Sequence, residues 1–229
     1  MARYVITGTG TDVGKTVIAA GICGLIGADY WKPVQSGRIG NLVNQAGTGS
    51  AQPVHSAYTA RARAAQPATD AADIVRLSGA RVFPEAYRLG QPLSPHRAAE
   101  LDGVEIDPAA LLPPAADPLV IEGAGGVLVP VTRRVLFADL FAEWQIPVVL
   151  VATTGLGTIS HSLTALESLR ARHVPVHGVA FVGEENADNM ATIGQIGGVP
   201  VLGRLPILPR LDRDSLAAAM AENFRREDF

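Results

Sequence analysis

Residues 5 to 16 read VITGTGTDVGKT, an apolar run followed by closely spaced glycines and then Gly-Lys-Thr. Counted back from Gly14, the usual phosphate-binding pattern G-x-x-x-x-G-K-[ST] requires a glycine at position 9. Position 9 is a threonine here, and the glycine lies one place earlier, at Gly8. The stretch is therefore either a phosphate loop of a variant kind or a glycine-rich turn followed by an accidental Gly-Lys-Thr.

The surroundings of these residues favour the phosphate loop. A strand, the glycines, Gly-Lys-Thr and a helix follow one another in the order that such a loop requires. Backbone N–H groups at the start of a helix face a bound anion, and the helix dipole favours negative charge there. Lys15 can then reach the β- and γ-phosphates, and the Thr16 hydroxyl can bind Mg²⁺.

The rest of the chain has a soluble, globular composition. Of its 229 residues, 48% are hydrophobic and 18% charged, and the net charge of -3 gives no general attraction to nucleic acid or anionic lipid. Cys23 is the single cysteine, so a disulfide within the chain is impossible and a reducing cytoplasm suits the protein. The N-terminus lacks a signal-peptide pattern, and residues 144–166, the longest stretch without Asp, Glu, Lys or Arg, are too polar to span a bilayer. We expect a cytoplasmic protein that binds neither nucleic acid nor membranes.

Apolar runs rich in β-branched residues alternate with segments of helical periodicity. The runs predict strands over residues 3–8, 118–123, 146–153, 177–183 and 199–206, and a further strand ending near Lys32. The helical segments are residues 14–26, 70–78, 135–144, 159–172, 187–196 and 212–224. Because continuous apolar strands indicate a sheet buried on both faces, the pattern predicts an α/β fold with a doubly wound, mostly parallel sheet, helices on both faces and P-loop NTPase-like character. Residues 1–229 are expected to form a single domain with a long flexible excursion over about 38–69.

Two charged residues lie where such folds bind their ligands, near the carboxyl ends of strands. Lys32 stands beside the predicted phosphate loop, where an ammonium group can stabilise a transferring phosphoryl group, although most lysines are solvated surface groups. Glu122 follows an apolar run and precedes small residues. It is either the acid that helps to hold Mg²⁺ in P-loop enzymes or an acid that caps a glycine turn.

Several motifs, taken together and in order, resemble the dethiobiotin synthetases, the ATP-dependent enzymes of biotin synthesis. VITGTGTDVGKT is similar to that family's T-G-T-x-T-x-V-G-K-T loop, which has the same extra residue. KPVQSG (32–37) resembles its K-P-V-x-[ST]-G, and IEGAGGVLVP (121–130) its V-E-G-A-G-G strand. Further similar segments are TDAADIVRLSG (69–79), PLSPHRAA (92–99), TGLGTISH (154–161) and LGRLPIL (202–208). The resemblance covers nearly the whole chain apart from residues 38–68.

The resemblance implies a reaction that closes a cyclic urea. One amine of 7,8-diaminononanoate takes up CO₂ to form a carbamate, and ATP phosphorylates the carbamate. The second amine then attacks the mixed anhydride, closes the ring and expels phosphate. A carbamate that attacks a triphosphate brings two anions together, so cations must neutralise them.

The resemblance also implies the residues of the site and the cosubstrates ATP and Mg²⁺. The residues expected in catalysis are Lys15, Lys32, Thr11 and Ser36. The residues expected to bind the nucleotide are Gly8, Thr9, Gly10, Asp12, Val13, Gly14, Lys15, Thr16, Val17, Glu122, Gly183 and Pro206. The metal ligands are expected to be Thr16, Asp70 and Glu122. The diamine is expected at Lys32 and Ser36 and, near the interface of a homodimer, at the turn Gly155, Leu156, Gly157 and Thr158, whose helix N-terminus suits a carboxylate.

This sequence departs from the family pattern in three places. Gly155 stands where some members have a basic residue. Val182 lies near the position of an asparagine that reads adenine in some members, so the resemblance leaves the preference among nucleotides open. The 38–69 excursion is longer than expected between Lys32 and the acidic helix.

Three other functions are less consistent with the residues. A P-loop ATPase switch of the plasmid-partition kind carries an additional lysine early in the loop, where this sequence has Gly10. Amidating enzymes of cobyrinate type usually carry a glutaminase domain, for which this chain has neither the length nor a second cysteine. A module that only binds partners would leave Lys15, Lys32, Asp70 and Glu122 without a role.

Overall fold

The computed structural model of the protein describes residues 2–37 and 69–229. Apart from Thr69, the excursion predicted over residues 38–69 lies outside the described residues. Within the described ranges, none of the helices combines the length and apolarity that crossing a membrane would require.

A seven-stranded sheet forms the centre of the fold, and all of its pairings are parallel. The strand order is β4-β2-β6-β1-β7-β8-β9. The strands of this sheet are β1 Arg3–Gly8, β2 Asp29–Trp31, β4 Val82–Phe83, β6 Leu119–Gly126, β7 Val148–Thr153, β8 Val176–Val182 and β9 Val201–Leu205. A separate parallel pair is formed by β3 Val34–Ser36 and β5 Tyr87–Leu89. The six strands predicted from the sequence are confirmed, whereas β3, β4 and β5, of two or three residues each, were not predicted.

Seven α-helices occur among the described residues. They are α1 Lys15–Ile26, α2 Asp70–Ser78, α3 Pro95–Asp102, α4 Phe137–Trp144, α5 Thr158–Arg170, α6 Ala187–Gly197 and α7 Arg213–Asn223, with short 3₁₀ turns at Pro108–Ala110 and Arg226–Asp228. Six of these were predicted to within two residues at each end. Helix α3 was missed because its eight residues carry only a short apolar face. It begins with Pro95, whose fixed φ suits the first turn of a helix.

The helices cover both faces of the sheet, as the apolar strands predicted. Successive side chains of a strand point to opposite faces, and in β1 Tyr4 and Ile6 enter one core while Val5 enters the other. Helices α1, α2 and α7 pack in the first core, and α3 to α6 pack in the second. The doubly wound α/β prediction is confirmed.

Strand β6 runs further than its apolar residues suggested. Glu122 lies within the strand, paired in register with Ile6, and the glycines that follow continue the ladder as far as Gly126 opposite Gly8. The alternative in which Glu122 caps a glycine turn is therefore wrong. Small residues allow the strand to approach the first loop, since a Cβ at Gly126 would lie 3.4 Å from the Gly8 carbonyl oxygen.

We expect Phe141→Ala to lower the free energy of unfolding by about 3–5 kcal/mol, because the side chain is fully buried and its loss leaves a cavity. The ring also packs tightly against β6, where a Cβ at Gly123 would come within 3.0 Å of Phe141 Cζ. Urea unfolding measures the change. As the control, Val75→Ala at a position 52% exposed should change stability by no more than about 0.5 kcal/mol. A loss no larger than that of the control would contradict the tight packing.

Candidate active site

The loop between β1 and α1 has the geometry of a phosphate loop. Gly14 has a φ of 97° and Asp12 a φ of 59°, both in the left-handed region, so the chain turns sharply into the helix. A Cβ at Gly8 would lie 2.6 Å from Val13 Cγ2, and one at Gly14 would lie 2.9 Å from Val182 Cγ2. Close packing therefore requires glycine at positions 8 and 14, whereas Gly10 faces open space.

Lys15 bends back over this loop. Its Nζ donates a hydrogen bond to the Gly10 carbonyl oxygen at 2.7 Å, and the residue is only 7% exposed. Burial lowers the pKa of Lys15 to about 8, although the carboxylate of Glu122 opposes the shift. The ammonium group also lies within the electrostatic reach of Lys32 and Asp70. The two lysines predicted to act together are thus in one neighbourhood.

The carboxylate of Glu122 joins the elements of the site. It is 1% exposed, and its Oε1 accepts hydrogen bonds from Thr16 Oγ1 at 2.9 Å and from Lys32 Nζ at 3.0 Å. Its other oxygen, Oε2, accepts a hydrogen bond from the Tyr30 hydroxyl at 2.8 Å. Three donors therefore compensate for the burial of this charge: Thr16 in α1, Tyr30 in β2 and Lys32 just after β2.

Lys32 also pairs with the first residue of α2. Its Nζ lies 2.5 Å from Asp70 Oδ2, and Thr69 caps that helix by accepting a hydrogen bond from the Ala72 N–H. Burial alone would lower the pKa of Lys32, but the carboxylates of Glu122 and Asp70 outweigh it and raise the pKa. The side chain therefore carries a positive charge at neutral pH although it is buried.

The oxygen atoms around Lys32 are of the kind that Mg²⁺ prefers. The carboxylates of Asp70 and Glu122 both contact its ammonium group, and the Thr16 hydroxyl donates to the same Glu122 oxygen that Lys32 contacts. Within residues 2–37 and 69–229, no group of three or more His, Cys, Asp or Glu side chains is placed to hold a metal ion. The set fits Mg²⁺ in the manner of nucleotide enzymes, where one or two carboxylates act together with substrate phosphates.

Ser36 and Thr11 are the two other residues predicted to act in catalysis. Ser36 ends β3, and its hydroxyl is buried without a hydrogen-bond partner in the described structure. A buried unpaired hydroxyl is unfavourable, so a ligand group is a natural partner. Thr11 is exposed on the loop, and a Cβ at Gly125 would lie 3.7 Å from its Oγ1.

A cavity of about 380 Å³ opens beside the phosphate loop. One wall is the loop itself, residues 8–11, and another is the end of β6 with the residues that follow it, 126–129. The third wall is one face of α5, with His161, Thr164 and Ser168. The cavity is large enough to admit part of a small substrate next to the phosphates.

The predicted substrate turn opens a helix, as expected. Helix α5 begins at Thr158, and Gly157 precedes it with a φ of 89°. The Thr158 hydroxyl donates a hydrogen bond to the Thr153 carbonyl oxygen at 2.5 Å, and this bond holds the turn in place. Leu156 is 97% exposed at the tip, and Gly155 precedes it.

The end of β8 lies against the phosphate loop through Val182. Gly183 follows with a φ of 139°, and its carbonyl oxygen accepts a hydrogen bond from Arg204 at 2.9 Å. The side-chain amides of Asn186 and Asn189 both donate to the Thr154 carbonyl oxygen. The amides that follow β8 in the sequence are thus engaged with the protein's own backbone.

The comparisons with known proteins agree with this geometry. A family profile described as an AAA domain matches residues 2–215. The ATP-dependent dethiobiotin synthetase of Novosphingobium aromaticivorans is 50% identical over the whole of both chains. The enzyme of the same name from Agrobacterium fabrum is 50% identical over 99% of this chain and 96% of its own. The chain belongs to the dethiobiotin synthetase family.

A solved structure shows the same fold outside the family. The cell division ATPase MinD of Pyrococcus furiosus matches with a TM-score of 0.54 over 96% of this chain and 89% of its own. Because the two sequences are only 12% identical, the likeness concerns the fold alone.

Tyr30 is the participant that sequence reasoning missed. It lies in β2, is fully buried and donates to Glu122 Oε2. Burial, followed by the nearby Glu122 and Asp70 carboxylates, raises its pKa well above the usual value, so it remains a neutral donor. An aromatic residue inside a short apolar strand carries no signal that separates this role from core packing.

We expect Tyr30→Phe to lower the free energy of unfolding by about 1.5–3 kcal/mol, because it leaves a buried charged oxygen without its donor. Urea unfolding at neutral pH measures the loss. Tyr87→Phe is the matched control, since that hydroxyl accepts a hydrogen bond from the Asp107 N–H near the surface and not from a buried charge. Equal effects of the two substitutions would contradict a special role for the Tyr30 hydroxyl.

We expect nucleotide binding at pH 8 to take up about half a proton per site, because Lys15 with a pKa of about 8 is then half neutral and a triphosphate favours its charged form. At pH 6.5 Lys15 is already charged and this uptake should vanish. Titration calorimetry in two buffers of different ionisation enthalpy measures the uptake. Lys15→Met should abolish it, and an uptake that persists in this variant would contradict the assignment.

Proposed function

We propose that the protein is an ATP-dependent dethiobiotin synthetase. It converts 7,8-diaminononanoate, CO₂ and ATP into dethiobiotin, ADP and phosphate. The observation that carries this conclusion is the convergence of Lys15, Lys32 and Glu122 at the phosphate loop of a chain that matches enzymes of that name over its full length.

Charge neutralisation is the main task of the site. The carbamate and the triphosphate are both anions, and their reacting oxygen and phosphorus atoms must come into contact. Lys15 is placed to leave the Gly10 carbonyl oxygen for the phosphates, while the backbone of residues 8–16 cradles them. Lys32 supplies the second ammonium group on the side where Ser36 and Thr11 face the carbamate.

The chemical steps balance without a further reactant. One amine of the diamine first adds to CO₂ and loses a proton, which gives the carbamate. A carbamate oxygen forms a bond to the γ-phosphorus, and ADP leaves. The free amine of the diamine then attacks the carbamate carbon, the carbon–oxygen bond breaks, and phosphate departs as the urea ring closes. The amine loses a proton in this step, and Asp12, within electrostatic reach of Lys15, is a carboxylate on the exposed part of the loop.

Mg²⁺ would be held by Thr16, Asp70 and Glu122, together with oxygens of the nucleotide. When bound, it would neutralise charge on the triphosphate. Tyr30 keeps Glu122 in place through the oxygen that faces away from Lys32 and Thr16.

The diamine's carboxylate is assigned to the turn of Gly155, Leu156, Gly157 and Thr158. The N-terminus of α5 offers backbone N–H groups to an anion. Leu156 leaves a large apolar side chain in solvent, which supports a homodimer that buries this turn. In such a dimer each turn would serve the site of the other subunit, near the cavity beside the phosphate loop.

The nucleotide base is assigned to the carboxyl ends of β8 and β9, where Gly183 and Pro206 would flank it. Val182 already packs on Gly14, so the base would lie directly beyond the loop that holds the phosphates. The protein is assigned to the cytoplasm, because its substrates are small metabolites and its one cysteine is a buried free thiol.

A partition-type ATPase switch is not favoured. The likeness to MinD concerns the fold alone, and position 10, where such switches carry their additional lysine, is a glycine with open space beside it.

We expect the purified protein to consume ATP only when diaminononanoate and bicarbonate are both present. A coupled ADP assay, run with each nucleoside triphosphate in turn, measures this dependence. Hydrolysis independent of the diamine and stimulated by a protein partner would support the switch instead.

We expect Lys15→Ala and Lys32→Ala each to lower kcat about 100-fold or more, because each removes a cation from the transition state. Circular dichroism checks folding, Arg76→Ala on the exposed face of α2 is the control, and full turnover in Lys32→Ala would disprove its role.

A further inference from the structure

Lys32 lies at the position where the candidate metal ligands converge. Its Nζ is 2.5 Å from Asp70 Oδ2 and 3.0 Å from Glu122 Oε1, and Thr16 Oγ1 is 2.9 Å from the same Glu122 oxygen. We call the space between these three oxygen atoms the metal seat. We propose that Lys32 is the counter-ion of the metal seat in the nucleotide-free protein, and that it gives up the seat when a divalent cation binds. This inference rests on the proposed function only for the identity of the metal ligands.

The geometry allows one cation in the seat. An ion that contacted Glu122 Oε1 and Asp70 Oδ2 at the usual Mg–O distance of about 2.1 Å would share both oxygens with Nζ, and it would lie within about 4.6 Å of Nζ because Nζ is 2.5 Å from the same Asp70 oxygen. Two positive charges at that separation, with no anion between them, repel strongly in a buried site. Lys32 must therefore move for a metal ion to use both carboxylates.

The hydrogen bond from Tyr30 prevents the Glu122 carboxylate from rotating to bind both cations at once. The Tyr30 hydroxyl holds Oε2 at 2.8 Å, inside a fully buried part of the core. The carboxylate consequently presents Oε1 alone to the metal seat, and Lys32 and a metal ion compete for that single atom.

The exchange gives Lys32 two consecutive tasks. Before a metal ion arrives, the ammonium group neutralises the buried carboxylate of Glu122 and the partly buried carboxylate of Asp70, which would otherwise repel each other. After the metal ion has replaced it, the ammonium group is available for an anionic ligand. The second cation thus becomes available to substrate only when the metal is in place, so a carbamate would meet Lys32 only in the loaded site.

The composition of the chain makes this exchange directly observable. Lys15 and Lys32 are the only two lysines among the 229 residues. Protein grown with lysine labelled by ¹³C at Cε should therefore give just two lysine side-chain signals. Lys15→Arg assigns them.

We expect MgCl₂ alone, without nucleotide or diamine, to shift the Lys32 signal in a saturable way while the Lys15 signal moves much less. CaCl₂ and an equal ionic strength of NaCl serve as controls for size and screening. A Lys32 signal that stays in place while Mn²⁺ binding, followed by electron paramagnetic resonance, reaches saturation would overturn the proposal.

A variant tests the same competition from the side of the metal. We expect Lys32→Gln to bind Mn²⁺ in the absence of nucleotide about tenfold more tightly than the unaltered protein, because the competing charge has gone. Lys15→Gln is the matched control and should change the affinity less than about threefold. Equal or weaker Mn²⁺ binding by Lys32→Gln would contradict the exchange.

Two features keep the test decisive. If Lys32→Gln does not fold, the titration of the labelled unaltered protein decides the matter without any substitution. Neither measurement uses the diamine or turnover. A protein that makes no dethiobiotin but shows the exchange would refute the proposed function alone, and an active enzyme without the exchange would refute this inference alone.

Discussion

The burial of one carboxylate governs the arrangement of this site. Glu122 lies inside β6, an interior strand of the sheet, almost without solvent, and an isolated charge there would be strongly unfavourable. Donors from α1 and from the β2 region converge on it because the parallel sheet places β2 and β1 on either side of β6. The fold therefore holds Lys32 and Thr16 in position through the same interaction that makes Glu122 tolerable.

Glycines allow this convergence. A Cβ at Gly8 would clash with Val13 within the first loop, and a Cβ at Gly126, at the end of β6, would be in van der Waals contact with the Gly8 carbonyl oxygen. A strand that carries an acid and then continues as small residues is unusual for a buried sheet, but here it brings the acid beside the helix start. The positive end of the α1 dipole and the negative carboxylate are thus held on adjoining elements.

The sequence was sufficient to predict the architecture and the positions of the charged groups of the site. Long apolar runs and their alternation with helices predicted the doubly wound sheet, and the positions of Lys32 and Glu122 relative to strands predicted their meeting. It was insufficient where the signal is short or ambiguous. The short strands β3, β4 and β5 and helix α3 left no clear period, and β6 was judged to end where its apolar residues end. Tyr30 looked like any core aromatic residue. Pairwise hydrogen bonds of this kind depend on a register between strands that is set only in three dimensions.

The contact between Val182 and Gly14 joins the loop proposed to bind the phosphates to the strand end proposed to bind the base. Because the valine methyl groups fill the space in which a Cβ at Gly14 would stand, β8 acts as a buttress for the loop between β1 and α1. A larger side chain at position 182 would displace that loop. Sequence variation in this region is therefore restricted to residues that follow Val182. Gly183 is constrained as well, because its φ is 139° and a Cβ there would clash with Thr154 Oγ1. Substitutions that alter nucleotide choice should accordingly accumulate from the exposed Glu184 onward, beyond these two fixed positions.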